Sequence, residues 1–210
     1  MPRYFFSFIS YLTISVSICL AAFHTNNLYA TDYSITSSTT ARITLTASDT
    51  LTVSGDGTIE YTGWPAVAAN GVTFGGATEV TNAGTITATT GYNINFDSST
   101  NATLVNTGTI STASTSDRPV YAGSSTGTTI TNSGTISSND DEAIYAYQSS
   151  NMTITNNADS TISAADDKAI QAWDSDDLTI NNSGTISAGT DNGIKNIGTI
   201  TTLENSGTIS

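Results

Sequence analysis

The chain has 210 residues, 37% of them hydrophobic and only 11% charged, with eighteen acids against five basic residues and a net charge of −13. So acidic a balance excludes nucleic acid and anionic membrane surfaces as partners, because both are gripped by Lys/Arg patches. The hydrophobic share is too high for a disordered tract, and the wealth of Thr and other β-branched residues points to strands rather than helices.

The first thirty residues read as a targeting segment. Arg3 supplies a positive start, Tyr4 to Phe23 is apolar, and Leu28-Tyr29-Ala30 offers a cleavage site. The pattern predicts a signal peptide over 1–30. The polar Asn26-Asn27 leading into the cleavage site favours this over an uncleaved membrane anchor. Cys19, the single cysteine, lies inside this segment after Ile18, which argues against lipidation. Beyond Ala30 stand four bases and all eighteen acids, a net −14, with no cysteine. Such a domain is held by its core and its ladders, without disulfides.

Residues 31–71 alternate well at Ile43-Thr44-Leu45 and Leu51-Thr52-Val53, and Gly55-Asp56-Gly57-Thr58-Ile59 is a faint first motif. They fall outside the period that follows. They are read as N-terminal capping strands, with Trp64-Pro65 marking an irregular excursion.

From residue 72 on, the string Asn-x-Gly-Thr-Ile recurs at Asn82, Asn106, Asn132, Asn182 and Asn205, with a degenerate copy read as Asn157 to Ile162. The motif isoleucines Ile86, Ile110, Ile136, Ile162, Ile186 and Ile209 are 23 to 26 residues apart. Two more apolar columns keep the same register. One is Val80, Leu104, Ile130, Ile154, Ile180 and Leu203; the other is Ile94, Val120, Ile144, Ile170 and Ile194. Each coil therefore carries three short alternating strands, and Ile144 and Ala146 share one face while Tyr145 and Tyr147 share the other. The prediction is a parallel β-helix of about five to six coils, because such coils bury their apolar faces only against one another. A disordered Thr/Ser stalk would not keep three columns in register, and coils this regular argue against a β-sandwich. The motif glycine is expected to serve a positive-φ bend. The motif asparagines are expected to stack and hydrogen-bond from coil to coil. The chain stops inside a motif at Ser210, so the last coil is read as incomplete.

The string Asn-Ser-Gly-Thr-Ile-Ser at 132–137, 182–187 and 205–210, with the signal peptide and the capping segment around Ser54-Gly55-Asp56-Gly57, resembles the passenger region of bacterial autotransporters. That resemblance implies a right-handed, pectin-lyase-like parallel β-helix. It also implies a Gram-negative exporter and a place at the cell surface, at the outer membrane or outside the cell. Autotransporters end in an outer-membrane β-barrel, and nothing between Met1 and Ser210 resembles one, so the chain is read as an N-terminal fragment or a stand-alone secreted solenoid.

The sole histidine, His24, lies in the signal segment, which removes Cys–His and Ser–His–Asp nucleophile arrangements from the remainder. No cofactor is expected. Carboxylates are the remaining chemistry. Asp141, Asp167 and Asp191 each follow a motif isoleucine by five residues, with Asp140, Asp166, Glu142 and Lys168 alongside. Similarity to pectin-degrading β-helices gives this column a Ca²⁺ reading. The plainer reading is a solvated edge whose aspartates suit the turn. Tyr121, Tyr145, Tyr147 and Trp173 align on adjacent coils, as a surface for sugar rings or a protein partner, or as pairs that only brace the sheet. The expected function is a non-catalytic, adhesive display rod whose partners are cell-surface glycans or proteins, or other copies through the solenoid ends. The alternative is a Ca²⁺-dependent, pectate-lyase-like enzyme.

Overall fold

A computed structural model describes residues 30–46, 48–63, 65–69, 78–112 and 117–210. The expected signal peptide lies outside the described residues, save Ala30. Within them the chain is all strand, wound as a parallel β-solenoid with three strands per coil.

Three columns of strands run along the solenoid. The first stacks Glu79–Asn82, Thr103–Asn106, Thr129–Asn132 and Thr153–Asn156 in parallel, so Val80, Leu104, Ile130 and Ile154 lie level with one another. The second includes Thr85–Ala88, Thr109–Thr112, Thr135–Ser138, Thr161–Ala164 and Thr185–Ala188, with every motif isoleucine in register. The third stacks Ile94–Asn95, Val120–Gly123 and Ile144–Tyr147. It joins the first through two long strands, Ile170–Asn182 and Ile194–Asn205, which bend from one column into the other.

The apolar columns predicted from the period form the core as far as Ile186; in the last coil Ile194 and Ile209 are only half-buried and Leu203, predicted to face inward, is 50% exposed. Ile86, Ile110, Ile136, Leu104, Ile130 and Ile144 are fully buried, and Phe96 and Met152 fill the interior between columns. Each such isoleucine removed from water contributes about 1.5–3 kcal/mol. Because like sits on like, that burial exists only once a neighbouring coil has formed.

The segment read as capping strands, described here as far as residue 69, feeds the same columns. Asp32–Ile35 pairs with Thr50–Val53, which pairs with Glu79–Asn82. Thr58–Tyr61 pairs with Thr85–Ala88, and Ile43–Leu45 with Val67–Ala69. Leu51 stacks under Val80 although 29 residues separate them, and Tyr33 under Leu51 at a separation of 18. These unequal excursions hide the first coils from a period search.

The asparagine ladder is present. The Nδ2 of each of Asn82, Asn106, Asn132, Asn156 and Asn182 donates to Oδ1 of the next, at 2.8–2.9 Å, ending on Asn205. The degenerate copy is read one residue too late from the sequence: Asn156 holds the ladder position, and Asn157 points outward to Ser133 Oγ. Two additional residues widen that bend. Asp159 takes φ 62°, and Ser160 turns back to Asn156 Oδ1 at 2.7 Å. The wide bend at 53–59 has the same spacing, with Val53 where the ladder would continue, so Asn82 Oδ1 is buried without a donor.

The role expected of the motif glycine is corrected. None of Gly84, Gly108, Gly134, Gly184 and Gly207 has positive φ. What they need is space. A Cβ on Gly134 would collide with the Gly108 carbonyl oxygen of the coil before, and one on Gly108 with that of Gly84. Only a bare Cα lets the tight corners stack at strand spacing. Most left-handed positions lie instead at the corner between the third and first columns. Ser98 and Asn101, Ser124 and Gly127, Gln148 and Asn151, and Asp174 and Asp177 all have φ between 49° and 71°. Between each pair sits a serine that faces inward; Ser125 Oγ and Ser149 Oγ are 3.1 Å apart.

Candidate functional site

The outer surfaces of the first two columns are hydroxyl ladders. Thr103, Thr129, Thr153 and Thr179 stack on one, and Thr85, Thr109, Thr135, Thr161 and Thr185 on the other. The outer surface of the third column differs. There Tyr121, Tyr145, Gln171 and Lys195 form one row, and Gly123, Tyr147, Trp173 and Ile197 the next. The sequence-predicted aromatic residues are thus neighbours, Tyr121 on Tyr145 and Tyr147 on Trp173.

Their ring geometry separates two kinds of aromatic. Tyr92 stacks on Tyr121 at 4.3 Å between centroids and 14° between planes. Tyr121 meets Tyr145 at 5.9 Å, tilted by 39°, and Tyr145 meets Tyr147 at 6.3 Å. The Arg118 guanidinium lies 4.5 Å from the Tyr145 centroid. Ring faces in this row are used on one another and on a cation, which suits bracing of the sheet. Burial pushes the Tyr121 hydroxyl up to about 12, with Tyr92, Asp97 and Tyr145 adding to it. Trp173 has no aromatic partner among the described residues and is 42% exposed.

Beside the tyrosines runs the acidic edge. Asp141, Asp167 and Asp191, each five residues after a motif isoleucine, stand three residues ahead of a third-column isoleucine. The edge is not a bare carboxylate column, because cations are threaded into it. Arg118 pairs with Glu142 at 2.7 Å and Asp141 at 3.0 Å. Lys168 bridges Asp167 and Asp191, the latter at 3.0 Å. Asp141, Glu142 and Asp167 bring carboxylate oxygens within 4.8 Å of one another, whereas Asp191 is drawn away to Lys168. Lys168 is raised above its ordinary value by hydrogen bonds to the two aspartates, despite partial burial.

Glu142 is the chemically distinctive group. Its side chain is buried, and burial pushes its carboxyl up to about 7. A hydrogen bond with Asp141 adds to the rise, and Arg118 opposes it. A carboxyl that carries a proton near neutrality can donate or accept one at physiological pH. For Ca²⁺, which takes six to eight oxygens, three carboxylates form the start of a shell. Arg118 and Lys168 already supply positive charge to it.

The sequence sets Glu142 beside the aspartates, whereas Arg118 and Tyr92, legible by the same spacing, were given no place at the site. Each stands two residues ahead of its third-column residue, as Lys168 does, so that row reads Tyr, Arg, Glu, Lys along the solenoid. With Arg118 left out of the row, this alternation of charge was missed.

No family model, curated protein or solved structure matches the chain.

Proposed function

We propose that this chain is a non-catalytic, exported β-solenoid of the autotransporter-passenger type, a rigid rod that presents its third face to a partner at the cell surface. The observation carrying this reading is the asymmetry of the faces. Two are uncharged hydroxyl ladders over most of their length, and the third concentrates the tyrosines, the ion pairs and the exposed Trp173. Aromatic residues and arginine gathered on one rigid face mark binding surfaces. Glycans and surface proteins are the partner classes. The test is binding of the purified chain to immobilised surface polysaccharide and to whole cells. Trp173→Ala with Tyr147→Ala is expected to weaken binding about tenfold or more with the β-sheet circular dichroism unchanged. Unchanged binding would remove the third face from the function.

A second reading is favoured by Glu142. A buried carboxyl with a value near 7, close to Asp141 and Asp167, is the kind of group that protonates a leaving oxygen in sugar chemistry. Ca²⁺-dependent cleavage of an acidic polysaccharide that Glu142→Gln abolishes would establish it in place of the adhesive reading.

A further inference from the structure

The adhesive reading leaves the nature of the partner open, and the corner after Trp173 narrows it. At this corner the chain turns from the third column to the first, and the same turn is built at four successive levels. Its left-handed positions are filled by Ser98 and Asn101, then Ser124 and Gly127, then Gln148 and Asn151, and last by Asp174 and Asp177. Between them, Thr100, Thr126, Ser150 and Asp176 are bridged in parallel. Three neighbouring levels thus make the turn without a charge. At the fourth, Asp174, Asp176 and Asp177 replace Gln148, Ser150 and Asn151. Backbone geometry does not require these acids, since Asn adopts the same conformation one coil away.

Nor does an internal counterion account for them. Asp174 accepts from Gln148 Nε2 at 3.2 Å, Asp176 from Thr199 Oγ1 at 3.2 Å and Asp177 from Thr201 Oγ1 at 3.1 Å. Among the described residues none of the three makes an ion pair, and all are exposed. The contrast with the Asp141–Asp191 edge, where Arg118 and Lys168 are built in, is direct.

The acids border an apolar ridge. Tyr147, Trp173 and Ile197 lie level on adjacent coils, Trp173 and Ile197 each 42% exposed. An uncovered Trp–Ile pair next to three uncompensated carboxylates is complementary to a surface that is both apolar and positive. Acidic glycans and anionic lipid would be repelled by the same corner.

We propose, building on the adhesive reading, that the Tyr147–Trp173–Ile197 ridge with its Asp174, Asp176 and Asp177 border docks a cationic, amphipathic segment of a protein partner. Apolar side chains of the segment cover Trp173 and Ile197, and its Lys or Arg side chains reach the three carboxylates. The partner fitting this surface is a basic peptide or a basic protein tail.

The probe is a synthetic peptide of alternating lysine and leucine, titrated calorimetrically into the full chain, with a glutamate–leucine peptide as its counterpart. The lysine peptide is expected to bind and the glutamate peptide not. Raising salt from about 0.05 to about 0.3 M is expected to weaken binding several-fold. Asp174→Asn, Asp176→Asn and Asp177→Asn together should weaken it about tenfold, as should Trp173→Ala alone. Asn at these positions keeps the turn, and an unchanged unfolding midpoint verifies it. A control set, Asp32→Asn, Asp56→Asn and Asp159→Asn, removes the same net charge elsewhere and should leave affinity intact. Equal losses in both sets would overturn the proposal in favour of bulk charge attraction, and so would indifference to Trp173→Ala. If polysaccharide or cell binding depends on Trp173 while the lysine peptide does not bind, the cationic partner is refuted and the adhesive reading stands.

Discussion

Removing one rung from the middle of the asparagine ladder should cost far more than removing one from its end. Asn132 is fully buried. Its Nδ2 donates to Asn156 Oδ1 at 2.9 Å and to the carbonyls of Thr161 at 3.0 Å and Gly134 at 3.2 Å, while its Oδ1 accepts from Asn106 Nδ2 at 2.8 Å. Asn132→Ala deletes all of these. Asn156 Oδ1 retains Ser160 Oγ, and Asn106 Nδ2 retains the carbonyls of Gly108 and Thr135, so part of the loss is made good. At about 0.5–1.5 kcal/mol net for each broken bond, and more for the buried groups left bare, the expected loss is about 2–4 kcal/mol. Asn205 is exposed, receives one bond from Asn182 Nδ2 at 2.8 Å and donates to the Gly207 carbonyl at 3.3 Å. Asn205→Ala should therefore cost about 1 kcal/mol or less. The assay is urea unfolding followed by circular dichroism, reading the midpoint and slope for each variant. Equal losses at the two positions would refute the reasoning, because the ladder would then be decoration on a structure held by its isoleucines alone.

Four further outcomes follow from the same geometry. Val53→Asn places a donor beneath the unpaired Asn82 Oδ1 and should stay within about 1 kcal/mol of the parent, whereas Val53→Ala, which gives up apolar burial with nothing in return, should cost about 1–2 kcal/mol; paired unfolding curves check this. Gly134→Ala should lower the melting temperature strongly, since its Cβ meets a carbonyl oxygen, while Gly55→Ala, with open space around it, should not. For Glu142 the folded value near 7 exceeds the ordinary 4.5, so the folded chain binds more protons between the two. Its contribution to stability is complete below pH 4.5 and is lost as pH rises through 7. Unfolding midpoints should fall over that interval, and Glu142→Gln should flatten the fall. Because Arg118 and Lys168 already occupy the carboxylates of the acidic edge, excess Ca²⁺ or a chelator should leave the melting temperature unchanged; a rise with Ca²⁺ that Asp141→Asn removes would show the edge to be a cation site.

Much of the fold could be read directly because stacking converts structure into period. A residue such as Ile136 must match Ile110 and Ile162 in kind, and that demand writes the same letter every 23 to 26 positions. Where stacking tolerates variation, the letters fall silent. Ser98, Ser124, Gln148 and Asp174 share one left-handed conformation across three residue types. Asn156 was displaced by one because two residues were inserted into its corner and a second asparagine follows it. At the site, alignment of Tyr121 with Tyr145 and of Tyr147 with Trp173 followed from register alone. Which rings are covered and which acids are paired depended on side chains reaching between levels, as Arg118 does to Glu142, and no count along the chain supplies that.

The asparagine ladder has one more property: it is a vector. Each amide from Asn106 to Asn182 donates toward the C-terminal coil and accepts from the N-terminal one, so the side-chain dipoles add head to tail and each polarises the next. The ladder starts at a bare acceptor, Asn82 Oδ1. Only a group that offers a hydrogen can prolong it there, and at Asn205 only one that offers a lone pair. Any strand that extends this corner, from whatever source, must arrive with matching polarity, so a coil laid on backwards would bring like poles together. Direction is thus enforced by a row of neutral side chains, independently of the backbone hydrogen bonds that run beside it.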